Sequence, residues 1–207
     1  MNSSIFVAGT GTDVGKTWVL TRLITELRVR GHEIRARKPA QSFAPTELGT
    51  TDAELIGAAN DEPATVVCPA HRWYETPMAP PMAAAVLGRP PFTIEDLVGE
   101  IDPPPNCFIE GAGGPRSPIA KDGDNVALAR ALGSSLVVLV ADAGLGTINA
   151  VELSVNAFHG YEVIVVLNRF DRTDDLHRRN REWLTEAGHR IETEISALAD
   201  HLIPRLS

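Results

Sequence analysis

The stretch TGTDVGKT at residues 10–17 directly follows the apolar run IFVAG at residues 5–9. A strand that leads through a glycine-rich turn into a helix is suited to bind phosphate, because free backbone N–H groups and the positive end of the helix dipole face the anion. Lys16 adds a positive charge for the outer phosphates, and the Thr17 hydroxyl is a ligand for the magnesium ion that accompanies them. We therefore predict that this loop binds a nucleoside triphosphate.

The residues after the loop support this interpretation, because apolar side chains recur there at the spacing of a helix packed on one face: Val19, Leu20, Leu23, Ile24 and Leu27. The loop departs from the usual phosphate-binding pattern, which has glycine five positions before the Gly-Lys pair. Thr10 occupies that position, with Gly9 and Gly11 on either side. The alternative is an ordinary glycine-rich turn with a solvated lysine.

Length and composition favour one domain over residues 1–207, since 207 residues with 43% hydrophobic content suffice for a full core around one sheet. The formal charge of −8 argues against a nucleic-acid or anionic-membrane partner. The first residues carry no basic leader, and the apolar run at 136–141 is too short to span a bilayer, so we expect a cytoplasmic protein. Cys68 and Cys107 lack metal-ligand spacing, and we expect both to be reduced and structural.

Short runs rich in Val and Ile alternate with amphipathic stretches along the whole chain. This alternation predicts an α/β fold with a doubly wound, mainly parallel sheet and helices on both faces, whose ligands bind at the carboxyl ends of the strands. We read the proline-rich segments at 77–81 and 103–105 as turns beside a helix. The predicted strands are 5–8, 33–37, 107–109, 136–141 and 162–167, and the predicted helices are 17–30, 52–60, 93–101, 125–132, 147–158 and 174–187.

Polar residues follow several of these strands and should therefore share one edge of the sheet. Lys38 follows the second strand, so its ammonium is expected beside the phosphate loop, the alternative being a solvated lysine. Glu110, before the glycines of EGAGG, and Asp142 each place a carboxylate where a magnesium ion can be held. Spacing alone does not rank these two carboxylates.

Two further motifs are candidates for base and substrate binding. Asn168 directly follows the fifth predicted strand, and its amide offers a donor and an acceptor to a base edge. The sequence Asn-Arg-Phe-Asp at 168–171 echoes the Asn-Lys-x-Asp pattern of GTP-binding proteins, which leaves a guanine preference open. The stretch GLGTIN at 144–149 enters a helix whose free N–H groups can bind a second anion, such as a substrate carboxylate.

Taken together, the motifs resemble those of the dethiobiotin synthetase family of biotin biosynthesis, which has a phosphate-loop NTPase fold. The resemblance covers most of the chain, and the glycine of that family's phosphate loop is displaced as Gly9 is here. The motifs are GTGTDVGKT at 9–17, KPAQS at 38–42, TTDA at 50–53, EGAGG at 110–114 and GTIN at 146–149.

The resemblance implies an ATP-dependent cyclo-ligase that acts on 7,8-diaminopelargonate and CO2 or bicarbonate, with magnesium as cofactor. It assigns the metal to Thr17, Asp52 and Glu110, and so favours Glu110 over Asp142. Lys16 and Lys38 would flank the carbamate and the γ-phosphate, with Thr12 beside the reacting groups. The implied ATP contacts are Asp13, Val14, Gly15, Lys16, Thr17, Trp18, Asp52, Glu110, Gly111, Ala112, Gly113 and Asn168.

For the organic substrate, the resemblance implies contacts from Ser42 and from a helix start of the partner subunit in a homodimer, so that the active site lies at the interface. The matching residues of that helix start are Thr147, Ile148 and Asn149. Three departures from the family pattern bear on specificity: Phe43 replaces a small residue, Pro115-Arg116 is unusual, and Ser196 stands where a proline is common near the base.

A phosphate-loop switch ATPase or GTPase acting on a protein partner is the alternative function. Such a protein would use residues 10–17 and Asp142, but it would not need Lys38, Ser42 or residues 147–149.

Overall fold

The computed structural model describes residues 4–44 and 49–206, so the first three residues, which carry the prediction of no basic leader, lie outside it. Its strands, in chain order, are β1 (Ile5–Gly9), β2 (Arg35–Arg37), β3 (Gln41–Ser42), β4 (Trp73–Tyr74), β5 (Cys107–Glu110), β6 (Pro118–Ala120), β7 (Gly123–Asp124), β8 (Leu136–Asp142), β9 (Glu162–Asn168) and β10 (Arg190–Glu192).

The helices are α1 (Lys16–Val29), α2 (Asp52–Asn60), α3 (Ala64–Val67), α4 (Pro80–Val86), α5 (Ile94–Ile101), α6 (Asn125–Ala131), α7 (Thr147–Ala157), α8 (Asp175–Glu186) and α9 (Ile195–Leu202). Single 3-10 turns lie at Ala70–Arg72 and Ile203–Arg205.

A six-stranded sheet in the order β10-β9-β8-β1-β5-β2 forms the centre of the fold, and each neighbouring pair is parallel. In β1, Val7 lies opposite Glu110 of β5 on one side and Val138 of β8 on the other. Strands β1, β5 and β8 are buried along almost their whole length, because helices cover both faces of a parallel sheet. The strand ends that carry Glu110, Asp142 and Asn168 therefore meet at one edge.

Two hydrophobic clusters cover the two faces of the sheet. Helices α1, α2, α3 and α9 contribute to the cluster that contains Ile5 and Val7 of β1. Helices α4 to α8 contribute to the cluster that contains Phe6 and Ala8. Successive side chains of a strand point to opposite faces, so β1 joins both clusters. The predicted doubly wound α/β fold with helices on both faces is confirmed.

Some local predictions need correction. The second strand is shorter than the predicted 33–37, because only Arg35–Arg37 pairs with β5. Pro80 and Pro81 do not form a turn but begin α4, where the missing N–H of proline costs nothing because the first turn of a helix has free N–H groups. The pattern also missed the edge strand β10, which has a single apolar residue, Ile191.

The structure also bears on the membrane and cysteine predictions. Within residues 4–44 and 49–206, no helix combines the length and apolar character needed to cross a membrane. Cys68 and Cys107 are both buried free thiols, and burial raises the pKa of each to about 12. Such thiols are poor nucleophiles and metal ligands, which agrees with the predicted structural role.

Candidate functional site

The turn between β1 and α1 has the backbone conformation of a phosphate-binding loop. Gly15, directly before α1, has φ of 90°, and Asp13 has φ of 59°. A Cβ atom on Gly15 would lie 2.1 Å from Asn168 Nδ2, so only glycine fits there. A Cβ atom on Gly9 would lie 2.8 Å from the Gly11 carbonyl oxygen. The close packing at Gly9 gives a physical reason for the displaced glycine of this loop.

Lys38 lies at the centre of an ion-pair cluster built from four separate parts of the chain. Its Nζ atom is 2.5 Å from Glu110 Oε1 and 2.9 Å from Asp52 Oδ2. The Thr17 hydroxyl oxygen lies 2.8 Å from Asp52 Oδ1 and 2.9 Å from Glu110 Oε1, and can donate its proton to either carboxylate. The end of β2, the start of α1, the start of α2 and the end of β5 thus meet at one point.

Burial and charge set the protonation of this cluster. The Lys38 and Glu110 side chains are 3% and 0% exposed. Burial alone would lower the pKa of Lys38, but Asp52 and Glu110 together raise it above its usual value, so Lys38 is charged. The Lys38 charge lowers the pKa of Asp52, whereas burial raises the pKa of Glu110 against the pull of Lys38. The cluster therefore keeps a fixed ammonium between two carboxyl groups.

Lys16 supplies a second cation next to this cluster. Its Nζ atom donates a hydrogen bond of 3.0 Å to the Gly11 carbonyl oxygen across the loop. Burial, followed by repulsion from Lys38, lowers the pKa of Lys16. A bound anion would offset both effects, since it would place a negative charge beside two neighbouring cations.

The oxygen atoms around Thr17 are suited to hold magnesium. Magnesium in nucleotide sites is bound through one or two carboxylates together with phosphates and water, and Thr17, Asp52 and Glu110 supply two carboxyl groups and a hydroxyl. Glu110 Oε2 is buried and has no hydrogen-bond partner in the described part of the chain, so one ligand atom is still available. No group of three or more His, Cys, Asp or Glu side chains in residues 4–44 and 49–206 has a metal-site arrangement. The two carboxyl groups and the Thr17 hydroxyl match a magnesium ion whose other ligands are phosphate and water.

A cleft of about 600 Å³ opens beside the loop and the cluster. Its apolar side includes Phe43, Pro77 and Met78. The Ser42 hydroxyl, which also lines the cleft, donates a hydrogen bond of 2.6 Å to the Met78 carbonyl oxygen. The residues proposed from the sequence that line this cleft are Thr12, Asp13, Gly15, Lys16, Thr17, Lys38, Ser42, Asp52, Ala112 and Gly113.

Other residues that were predicted to contact ATP do not line the cleft. Val14 packs against the core, and Glu110 lies beneath the surface. Gly111 packs on Asn125, since a Cβ atom at Gly111 would lie 2.3 Å from Asn125 Oδ1. Trp18 is 51% exposed on α1, where the Arg22 guanidinium lies 5.7 Å from its ring centre.

The residues predicted to bind a substrate carboxylate lie at the start of α7, outside the cleft of their own chain. Thr147 is buried, and its hydroxyl has no hydrogen-bond partner among the described residues. Ile148 packs against the core, and Asn149 is exposed.

Asn125 and Arg169 are site residues that sequence analysis did not assign. Asn125 Nδ2 donates hydrogen bonds of 2.7 and 2.8 Å to the carbonyl oxygens of Ala112 and Gly114, so it holds the EGAGG turn. Arg169 lines the cleft and forms an ion pair with Asp142 at 2.7 Å. Two features of the sequence pointed to these residues. Asn125 stands at the start of a predicted helix, and Arg169 replaces the lysine of the Asn-Lys-x-Asp pattern.

The class of protein follows from this geometry. A parallel sheet whose first strand runs through a left-handed glycine into a helix that begins with Lys-Thr defines a phosphate-loop NTPase fold. The family model described as an AAA domain matches residues 3–199. A plasmid partition protein of Borrelia burgdorferi B31, solved bound to AMPPNP, has a similar fold: the TM-score is 0.53 at 11% identity, over 93% of this chain and 86% of that one.

Curated relatives narrow the class to one family. The chain is 39% identical over 180 residues to an ATP-dependent dethiobiotin synthetase of Anaeromyxobacter sp. (strain Fw109-5), which covers 83% of this chain and 78% of the relative. It is 37% identical over 186 residues to the protein of the same name from Haloferax mediterranei, covering 87% and 78%. The chain belongs to the dethiobiotin synthetase family.

Proposed function

We propose that this chain catalyses ATP-dependent ring closure of 7,8-diaminopelargonate with CO2, which yields dethiobiotin, ADP and phosphate. The observation that carries the proposal is the buried Lys38 ammonium, held between Glu110 and Asp52, which faces the same cleft as the phosphate loop. The two relatives described above, both named ATP-dependent dethiobiotin synthetase, support the reaction. Because the reaction consumes ATP, we place the enzyme in the cytoplasm.

The reaction has three steps. One amine adds to CO2 and loses a proton, which gives a carbamate anion. A carbamate oxygen attacks the γ-phosphorus of ATP and ADP leaves, which gives a carbamic–phosphoric anhydride. The second amine then attacks the carbamate carbon, loses a proton and displaces phosphate to close the cyclic urea. The second step brings two anions together, so it requires positive charge at the meeting point.

The two buried lysines supply that charge. Lys16 belongs to the phosphate loop and is the cation for the outer phosphates. Lys38 is charged, buried and fixed by two carboxyl groups, so it needs little reorganisation when negative charge develops beside it. Thr12 also lines the cleft, and we propose that it donates its hydroxyl proton to a reacting oxygen.

We propose that Thr17, Asp52 and Glu110 hold magnesium. The bound ion would neutralise phosphate charge and orient the γ-phosphoryl group. The support is the set of hard oxygen donors and the Glu110 Oε2 atom, which has no hydrogen-bond partner in the described part of the chain.

The apolar residues of the cleft are suited to the diamine. Phe43, Pro77 and Met78 form an apolar wall for an aliphatic chain. The Ser42 hydroxyl proton is donated to Met78, so its oxygen lone pairs remain to accept a hydrogen bond from a substrate amine.

The proposed base and carboxylate sites lie elsewhere. Asn168 donates to the Val14 carbonyl oxygen through Nδ2, so its Oδ1 atom is the acceptor that we assign to the adenine amino group. Residues 147–149 begin α7 outside the cleft of their own chain. The Thr147 hydroxyl, which has no hydrogen-bond partner among the described residues, lies there with first-turn N–H groups. We propose that the chain forms a homodimer. In it, this helix start binds the carboxylate of the substrate molecule that lies in the cleft of the other subunit.

The test is phosphate release by purified protein with magnesium, ATP and bicarbonate, with and without 7,8-diaminopelargonate, while mass spectrometry follows dethiobiotin. We expect diamine-dependent phosphate release with an equal amount of dethiobiotin. Lys38→Ala should abolish product formation, whereas Lys121→Ala, at an exposed lysine, should not change it. Phosphate release that ignores the diamine and yields no dethiobiotin would refute the proposal.

A further inference from the structure

Two consecutive residues at the end of β9 hold two consecutive carbonyl groups of the phosphate loop. Asn168 Nδ2 donates a hydrogen bond of 3.0 Å to the Val14 carbonyl oxygen. Arg169 Nη2 donates one of 2.8 Å to the Asp13 carbonyl oxygen. The two side chains come from more than 150 positions further along the chain, so tertiary structure alone brings them to the loop.

These contacts determine where two amide protons of the loop point. In a trans peptide, the C=O and N–H bonds point in opposite directions. Tethering the carbonyl of Asp13 therefore directs the N–H of Val14 away from β9, and tethering the carbonyl of Val14 does the same for the N–H of Gly15. We infer that Asn168 and Arg169 are positioning residues that preorganise the amides of the phosphate loop for the nucleotide.

Asn168 acts by packing as well as by hydrogen bonding. Its amide lies directly against the Gly15 Cα atom, at the point where a Cβ atom would be 2.1 Å from Nδ2. Rotating the amide by 180° would place two oxygen acceptors against each other at Val14, so the observed orientation is the one that the contact permits. Asn168 is 7% exposed, which keeps water from competing for the Val14 carbonyl.

Arg169 is held in place from its other side. Its Nη1 atom is 2.7 Å from Asp142 Oδ2, and Asp142 Oδ1 accepts a hydrogen bond of 2.9 Å from the Gly144 N–H. The Arg169 backbone is left-handed, with φ of 58°. A guanidinium presents several N–H groups in a rigid plane and can bridge Asp142 and Asp13 at once, whereas the single ammonium of a lysine is a point charge on a flexible chain.

Arg169 itself is 57% exposed, so we assign its effect to the geometry of the loop and not to overall stability. The inference rests on the nucleotide-binding part of the proposed function and does not depend on ring closure. It also accounts for Asp142, which the sequence suggested as a magnesium ligand: its carboxylate is instead used to anchor Arg169 and the Gly144 turn.

The experiment measures binding of AMPPNP with magnesium by calorimetry and amide exchange of the loop by mass spectrometry. We expect Arg169→Ala to weaken binding about tenfold, as for loss of one hydrogen bond to a charged group. In the AMPPNP complex, exchange at residues 13–15 should accelerate, while exchange in β9 and α8 stays unchanged. Arg169→Lys should recover only part of the affinity, and Asp142→Asn should fall between Arg169→Ala and the unaltered protein.

Arg179→Ala is the matched control, because Arg179 is exposed on α8 and pairs with Asp175 away from the loop. It should bind AMPPNP as the unaltered protein does. Binding by Arg169→Ala within twofold of the unaltered protein, with unchanged loop exchange, would overturn the inference and leave the proposed function standing. Failure of the unaltered protein to bind AMPPNP would overturn both.

Discussion

Replacing Lys38 by methionine tests the ion-pair cluster directly. Methionine keeps most of the side-chain volume but removes the ammonium that lies 2.5 Å from Glu110. Removing one partner of a buried ion pair costs about 3–5 kcal/mol, because the other charge stays buried without compensation. Glu110 is fully buried, so we expect this cost to apply. For a domain of this size, 1 kcal/mol lowers the melting temperature by about 2–4 °C, which gives a fall of roughly 6–20 °C.

The pH dependence of this loss follows from the pKa shifts. Lys38 lowers the pKa of Asp52, so in the unaltered protein this stabilisation is present at neutral pH and is lost as pH falls below about 4. In Lys38→Met, that contribution disappears and the pKa of Glu110, already raised by burial, rises further. A folded-state pKa above the unfolded value means that stability is lost as pH rises through it. The stability deficit of the variant should therefore grow as the pH rises above about 4, the unfolded-state pKa of a glutamate.

Scanning calorimetry across this pH range, with a second substitution, separates the charge effect from lost packing. Glu110→Gln removes the uncompensated carboxylate, so Lys38→Met combined with Glu110→Gln should recover much of the melting temperature. A melting temperature for Lys38→Met within about 2 °C of the unaltered protein would refute the reasoning. So would independent, additive losses in the double variant, since coupled partners do not behave additively.

Two further substitutions test the nucleotide site. Thr17→Val removes the hydroxyl 2.8 Å from Asp52 and should weaken magnesium–AMPPNP binding about tenfold; calorimetry showing unchanged affinity would contradict the magnesium assignment. Gly15→Ala places a Cβ atom 2.1 Å from Asn168 Nδ2 at φ of 90° and should abolish binding. Gly31→Ala is its control, because Gly31 also has a positive φ, of 88°, but no atom lies within 4 Å of an added Cβ. This variant should have a lower melting temperature because of backbone strain and an unchanged affinity for AMPPNP.

The parts of the fold that local pattern determines were predictable. Strands such as β8 and β9 are continuous Val- and Ile-rich runs, and α1 shows one apolar face. The glycines at the ends of predicted helices, such as Gly31 and Gly188, adopt positive φ, as expected of residues that end a helix. In these places burial, propensity and turn chemistry all favour the same structure.

Features created by distant contacts were not predictable. Strand β10 exists because Arg190–Glu192 pairs with β9, although only Ile191 is apolar. Pro80 and Pro81 carry a turn-like composition that also suits the first turn of a helix.

The site shows the same division between local and distant causes. The phosphate loop is continuous in sequence and was identified from residues 10–17. The burial of Lys38 depends on Asp52 and Glu110, and the contact of Arg169 depends on Asp13, so neither follows from local pattern. The resemblance to a known family pointed to Lys38 and Glu110 as site residues. The comparisons with known proteins confirm the family. The roles of individual residues stay predictions until the proposed experiments are done.

The ion-pair cluster also has a consequence for folding. Its members stand at positions 17, 38, 52 and 110, and they meet only after β1, β2 and β5 have paired across crossover connections. A partly folded chain therefore has no complete site, because long-range parallel pairing forms late and slowly. Nucleotide will bind only the finished fold and will stabilise it by mass action, by about 2.7 kcal/mol at a concentration of 100 times Kd. Bound nucleotide therefore lowers the fraction of unfolded chains, which are the ones open to proteolysis.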